Sequence, residues 1–175
     1  NVHTHTTNGI TVASGGKLNF TGGAAQAVTG KIVVTGAGTV NVGTSTVTVT
    51  DAASVLPGTS ILKVTVGTTN GKLVNAGSAL TLNVNGLVEP VIAGRITSGT
   101  AIVIATTNSG TIVVPGTVTN NYSRYTFALA ANGVNLELTP TVVTPAGVGA
   151  AGAAVNAVAD IAFASDAAMA DAMNG

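Results

Sequence analysis

Apolar residues recur along this chain in short alternating runs, each bounded by glycine, asparagine or proline. The clearest set lies between Thr111 and Thr139, three extended runs joined by two turns. There Tyr125, Phe127 and Leu129, then Val134, Leu136 and Leu138, alternate with small or polar residues, as half-buried strands require. Asn132-Gly133 between them is a turn pair that tolerates positive φ and predicts a hairpin. Upstream the same device repeats in Ile10 and Val12, Leu18 and Phe20, Ile32 and Val34, Val40 and Val42, and Val47 and Val49. From Asp51 onward Leu62, Val64 and Val66 predict one strand, and Leu80, Leu82 and Val84 another. Glu89-Pro90 and Gly94 interrupt the pattern. Ile102-Val103-Ile104, apolar on both faces, then predicts a central strand.

The spacing of these pairs, about eight to ten residues, suits a sandwich, a barrel or the short faces of a β-solenoid, and periodicity alone does not choose among them. No fixed repeat length survives a strict comparison, which excludes an exact repeat code of the leucine-rich or nonapeptide kind but not an irregular solenoid. Beyond Thr144 the pattern changes. No Thr follows, 13 of the 30 residues from Ala146 to Gly175 are Ala, and Val155, Val158, Ile161 and Ala162, then Met169 and Met173, recur at helical spacing after a Gly-rich hinge at Gly147 to Gly152. Ser165 or Asp166 is placed to cap a second short helix. The expected organisation is therefore a β-rich body over 1–145, with 111–139 as its closing strands, and a Gly hinge with an Ala-rich helical tail over 146–175.

Composition strengthens the all-β expectation. The chain has 175 residues, enough for one domain, and among them are 28 Thr and 26 Val, both β-branched and strand-favouring. Only 7% of residues are charged, against about a quarter in ordinary globular proteins, so solubility rests on hydroxyls, amides and backbone. That composition points to an extracellular or fibrous β protein. The six basic residues are scattered and form no nucleic-acid footprint. With no Cys, disulfides, thiolate metal sites and thiol nucleophiles are excluded. No run of 18 apolar residues is present to span a bilayer as a helix, and no leader with a charged and an apolar region opens the chain.

The residues that could carry chemistry are few. His3 and His5 share one side of an extended segment and are weak metal-ligand candidates, lacking a third partner nearby. Asp51, Glu89 and Glu137 are far apart in sequence, so a glycosidase-like carboxylate pair would depend wholly on folding. No Gly-x-Ser-x-Gly elbow occurs, and Gly36-Ala37-Gly38 reads as a turn rather than a phosphate loop. Neither a catalytic site nor a cofactor is expected, and the chain is not read as an enzyme. Tyr122, Arg124 and Tyr125 are a candidate interaction patch, with closure of the core as the competing role for the aromatics. Thr44, Thr46, Thr48 and Thr50 share a face opposite Val47 and Val49 and invite comparison with the hydroxyl arrays of ice-binding solenoids, although a single rank makes no array.

In order along the chain come a Gly-Thr strand (Gly99 to Ile104), a second strand linked by Gly (Gly110 to Val114), an aromatic strand (Tyr122 to Leu129), an Asn-Gly turn and Leu-x-Leu-Thr-Pro (Leu136 to Pro140). This succession, with the Ala-rich segment around Asn156 to Asp160, resembles the C-terminal end of an autotransporter passenger domain, and the Thr- and Gly-rich body is similar to rickettsial surface-antigen passengers. The resemblance covers roughly residues 55 to 165 and rests on pattern rather than on an invariant motif. It implies the last rungs of a β-helix, a role in folding during secretion, and a bacterial cell-surface or extracellular location. The translocating barrel that such proteins carry is not in this sequence. The expected function is that of structural surface material that associates with its own kind into a fibre or layer, with Val2, Ile10 and Val12 as a candidate donor strand. An adhesin that engages a host protein or glycan is the alternative, and an ice-binding solenoid the second alternative.

Overall fold

A computed structural model describes residues 3–6, 9–51, 55–56, 58–76, 82–84, 86–108, 112–113, 117–119, 121–122 and 124–143, with 3–6, 55–56, 82–84 and 113 as backbone. Among these residues every regular element is a β-strand and none is a helix. The strands, in chain order, are β1 (His3–Thr6), β2 (Ile10–Val12), β3 (Lys17–Asn19), β4 (Gln26–Thr29), β5 (Ile32–Val34), β6 (Thr39–Gly43), β7 (Thr46–Val49) and β8 (Val55–Leu56). They continue as β9 (Ile61–Gly67), β10 (Lys72–Asn75), β11 (Leu82–Val84), β12 (Leu87–Ala93), β13 (Ile102–Thr107), β14 (Ile112–Val113), β15 (Tyr125–Asn132) and β16 (Asn135–Val142).

Three sheets share out these strands in rotation. One has the order β1-β4-β7-β10-β13-β16-β15, the second β14-β11-β8-β5-β2, and the third β12-β9-β6-β3. Up to β14 every pairing is parallel and joins a strand to the one three places further on. The separation grows along the chain. Asn41 follows its neighbour Asn19 by 22 residues, Glu89 follows Lys63 by 26, and Tyr122 follows Ile92 by 30.

That drift hides a repeat that strict comparison misses. Gly16-Lys-Leu-Asn-Phe20, Gly38-Thr-Val-Asn-Val42, Ser60-Ile-Leu-Lys-Val64 and Gly86-Leu-Val-Glu-Pro90 recur along the third sheet in one register, except for a shift after Asn41 that pairs Gly43 with Val64. Each reads small, variable, apolar, polar, apolar. The apolar pair points inward: Val40, Leu62 and Val88, and Phe20, Val42, Val64 and Pro90, are buried. The polar position faces out, where Asn41 Nδ2 donates to Asn19 Oδ1 at 3.2 Å and Lys63 Nζ meets Glu89 Oε1 at 2.5 Å. That ion pair is partly exposed, so about 0.5 kcal/mol is its scale, against about 2 kcal/mol for burying a side chain such as Leu62. Core burial therefore sets the register and the surface ladder follows it.

Successive units approach closely at the small residue. Backbone bonds join the units at this position, Thr39 N to Gly16 O, Ile61 N to Gly38 O and Leu87 N to Ser60 O, at 2.8–2.9 Å. A Cβ on Gly86 would overlap the Ser60 carbonyl oxygen. In the first sheet the inward columns run Gln26, Val47, Leu73, Ala105 and Leu136, and Val28, Val49, Asn75 and Thr107, all buried. Asn75 stands out because it is 0% exposed and neither Nδ2 nor Oδ1 has a hydrogen-bond partner. A buried amide left in this state costs about 1–3 kcal/mol.

Several expectations from the sequence are corrected. Glu89-Pro90 does not interrupt a strand; it lies inside β12, and Pro90 is tolerated because β12 ends its sheet. Ile10 and Val12 of the candidate donor strand lie in β2, which pairs with β5 and ends the second sheet, and Val12 is 5% exposed in the core. The hairpin turn is shifted by one residue. Asn132 and Asn135 are paired, so the loop is Gly133-Val134, with Gly133 at φ 59° and Val134 at 41% exposure rather than on the buried face. β4 and β10, too weakly patterned to be recognised in advance, complete the first sheet. Ile102-Val103-Ile104 is central as expected, with β13 between β10 and β16. Leu80, Val2 and the expected helical tail over 146–175 lie outside the described residues.

This packing sets two differences in stability. Gly86→Ala should lower unfolding free energy by about 3 kcal/mol, as overpacking against fixed backbone does, whereas Gly99→Ala, with open space around its Cβ position but φ +75°, should lose about 1 kcal/mol; urea denaturation of both variants checks the contrast. Asn75→Leu, which exchanges an unpaired amide for a group of similar shape, should raise the denaturation midpoint, by the equivalent of about 1 kcal/mol. A fall in midpoint would show that the amide has a structural role.

Candidate interaction surfaces

The candidate residues from the sequence do not converge on one chemical site. β1 pairs with β4 in a register that places His3 beside Gln26 and His5 beside Val28. Among the described residues no group of three or more His, Cys, Asp or Glu is arranged to hold a metal ion. Glu89 is engaged with Lys63, and Glu137 accepts from Asn132 Nδ2 at 3.1 Å on the outer face of the hairpin.

Tyr122, Arg124 and Tyr125 do not form an exposed patch. Tyr125 is 5% exposed, with its ring 6.4 Å from that of Phe127. Tyr122 is half-buried, and its hydroxyl accepts a hydrogen bond from Ile92 N at 2.9 Å. Arg124 Nε is shielded from solvent, and Arg124 O accepts from Val143 N at 2.8 Å. All three serve the closure of the body, for which the sequence had offered an interaction role as the competitor.

That closure is built from backbone. β12 ends the third sheet, and a bare strand edge would present the N–H groups of alternate residues. Here Val88 N donates to Thr117 O at 3.1 Å, Thr119 N returns a bond to Val88 O at 2.9 Å, position 90 is proline and has no N–H, and Ile92 N is taken by Tyr122. The three successive edge positions are thus bonded, blank and bonded. Pro90, which reads from sequence as an interruption, and Tyr122, for which interaction and core closure both stand as expected roles, are the residues that close this edge. A proline four residues after a small residue, where earlier units carry Phe20, Val42 and Val64, is the signal that could have found it.

The Thr face is arranged differently from a hydroxyl array. Thr46 is exposed and Thr48 half-buried opposite the buried Val47 and Val49, as their alternation predicts. Across the sheet, however, Thr48 is flanked by Ala27 and Val74, and Thr46 by Lys72, so the hydroxyls do not stack from strand to strand. Thr50 Oγ1 is turned to backbone, accepting from Gly30 N at 3.2 Å and donating to Val28 O at 3.3 Å.

The first sheet ends in another way. β16 pairs antiparallel with β13, and β15 antiparallel with β16, so the parallel series stops and a two-residue hairpin forms the margin. Tyr125, Phe127 and Leu129 turn one face of β15 towards the core, while Thr126, Ala128 and Ala130 are exposed on the other. Among the described residues no helix is long and apolar enough to cross a membrane, which says nothing of β-barrels. Comparison with protein-family models, curated proteins and solved structures returns no match.

The edge closure predicts that Tyr122→Phe leaves Ile92 N–H without its acceptor, at a cost of about 1–2 kcal/mol. Hydrogen exchange should accelerate at Ile92 and leave Leu62 and Val64 protected. Unchanged exchange at Ile92 would mean that the hydroxyl is not its partner in solution.

Proposed function

We propose that this chain is an extracellular structural surface protein of passenger type, folded as an irregular β-solenoid and acting through rigid extension and contacts between copies. The observation that carries this reading is the parallel pairing of each strand with the one three places on, in three sheets over successive units. A chain that visits three sheets in rotation builds its length by adding units, each covering the apolar row of the last. The lengthening interval between partners is what makes such a solenoid irregular, and the growth falls in the connections rather than in the five-residue units.

The surface composition supports an extracellular role. With 7% charged residues the body leaves few Lys or Glu to discourage edge pairing, which suits a protein that assembles rather than one that remains dispersed. The resemblance to the C-terminal passenger region of autotransporters implies the bacterial surface as the location, and an antiparallel hairpin of β15 and β16 at the end of the first sheet is compatible with closing strands. The adhesin alternative loses its proposed patch, because Tyr125 is buried and Tyr122 is committed to Ile92. The ice-binding alternative loses its array, because the Thr hydroxyls are not stacked.

Protease treatment of intact producing cells should release this chain or its fragments into the medium, and negative-stain microscopy of the released material should show assemblies larger than one chain. Recovery of the chain only after lysis would overturn the surface reading. Dispersed single particles at all concentrations would overturn the assembly reading.

A further inference from the structure

The outer margin of β15 is not closed in the way that the margin of β12 is. Val143 N donates to Arg124 O, and the antiparallel register pairs Arg124 with Val143, Thr126 with Thr141, Ala128 with Thr139 and Ala130 with Glu137. In an antiparallel ladder these alternate residues direct their backbone groups at the partner strand, and the residues between them direct theirs away. The N–H and C=O groups of Phe127, Leu129 and Ala131 therefore point to the outer side of β15. Among the described residues no strand continues the sheet there. The strand is eight residues long, carries no charge and no proline, and holds Phe127 and Leu129 only half-buried.

We propose that this margin is the self-association surface, taken by β15 of a second copy in antiparallel pairing about a two-fold axis at Ala128. This rests on the self-associating surface-protein reading and names the contact that it uses. The register follows from the geometry. With Ala128 facing Ala128, Phe127 of one copy and Leu129 of the other become a hydrogen-bonded pair, each exchanging both backbone bonds with the other. Those are the residues whose groups point outward. The same register lays the half-buried Phe127 ring against the half-buried Leu129 side chain twice, across the axis. On the other face it opposes Thr126 to Ala130 and Ala128 to itself, all small and exposed.

Charge agrees with this arrangement. Arg124 and Glu137 are the two charged residues of the segment from 121 to 143, of opposite sign. The two-fold brings Arg124 opposite Asn132 of the second copy, the residue whose amide holds Glu137. No charge lies at the centre of the joint. A two-fold contact is self-complementary and closes on itself. It therefore yields a dimer with one continuous sheet across two copies, and any fibre or layer must use a further contact between such dimers.

The chain has no cysteine, which makes a direct test available. A non-hydrogen-bonded antiparallel pair has Cα atoms about 4.5 Å apart, inside the range of about 4.4–6.8 Å that a disulfide spans. Full-length Ala128→Cys, treated with oxidised glutathione, should give a covalent dimer at least fivefold faster than Thr141→Cys, an exposed control on the neighbouring strand. Ala128→Lys, whose charge would face its own copy, should raise the dimer dissociation constant at least tenfold by sedimentation while its circular dichroism remains that of the parent. Equal cross-linking of the two cysteine variants in a protein that still sediments as an oligomer would overturn this surface and leave self-association standing. A monomer at every concentration would overturn both; a slow maleimide reaction of the Ala128→Cys variant would then assign the cover of β15 to residues 144–175, and a fast one would leave the edge bare.

Discussion

The constraint on which the structure depends is the close approach of backbone to backbone at the start of each unit in the third sheet. At Gly38, Ser60 and Gly86 the chain starts a new pass against the preceding one, and hydrogen bonds of 2.8–2.9 Å join Thr39, Ile61 and Leu87 to the carbonyls of Gly16, Gly38 and Ser60. The approach is closest at Gly86, whose missing Cβ would occupy the place of the Ser60 carbonyl oxygen. Once that position is fixed, the next three residues fall into register. Their apolar members meet inside and their polar members meet outside. A slip of one residue would send Leu62 and Val64 to solvent and Lys63 to the core. The burial of two large apolar side chains per unit outweighs what the exposed Asn19–Asn41 and Lys63–Glu89 contacts can contribute, so the outward ladder is a consequence of register and not its cause.

Most of the architecture was legible from alternation, and what escaped did so for identifiable reasons. Leu62, Val64 and Val66, or Ile32 and Val34, are read correctly because each strand has one buried and one wetter face. β4 and β10 escaped because their inward residues include Gln26 and Asn75, polar side chains that a hydropathy pattern assigns to the surface. The repeat escaped because its connections lengthen while its units do not, so a fixed period dissolves between Asn19–Asn41 and Ile92–Tyr122. The turn at Gly133-Val134 was displaced by one residue because Asn-Gly suits the two central places, whereas here Asn132 is the last paired residue and glycine the first of the loop.

The candidate surfaces were less legible than the fold, since they depend on which strand comes last in each sheet. Pro90 reads as a breaker until β12 is known to be terminal. Tyr122 and Tyr125 read alike, yet one serves a backbone donor with its hydroxyl and the other fills the core with its ring. Neither difference resides in local pattern. Each depends on contacts distant in sequence, as between Ile92 and Tyr122.

A parallel stack faces a problem that a closed barrel does not, because each added unit exposes the same edge that it covered. The third sheet meets it by removing or occupying donors one at a time, at Val88, Pro90 and Ile92. The first sheet meets it by reversing direction, and β16 against β13 ends the parallel register at once. Reversal, however, moves the margin outward to β15 without neutralising it, since neither proline nor charge is set along that strand. The two solutions differ in consequence. A margin without donors ends growth, whereas an antiparallel margin ends parallel growth and admits a partner whose geometry is its own. The proposed pairing through the hairpin closes after two copies, and so makes orderly pairing an alternative to open-ended stacking.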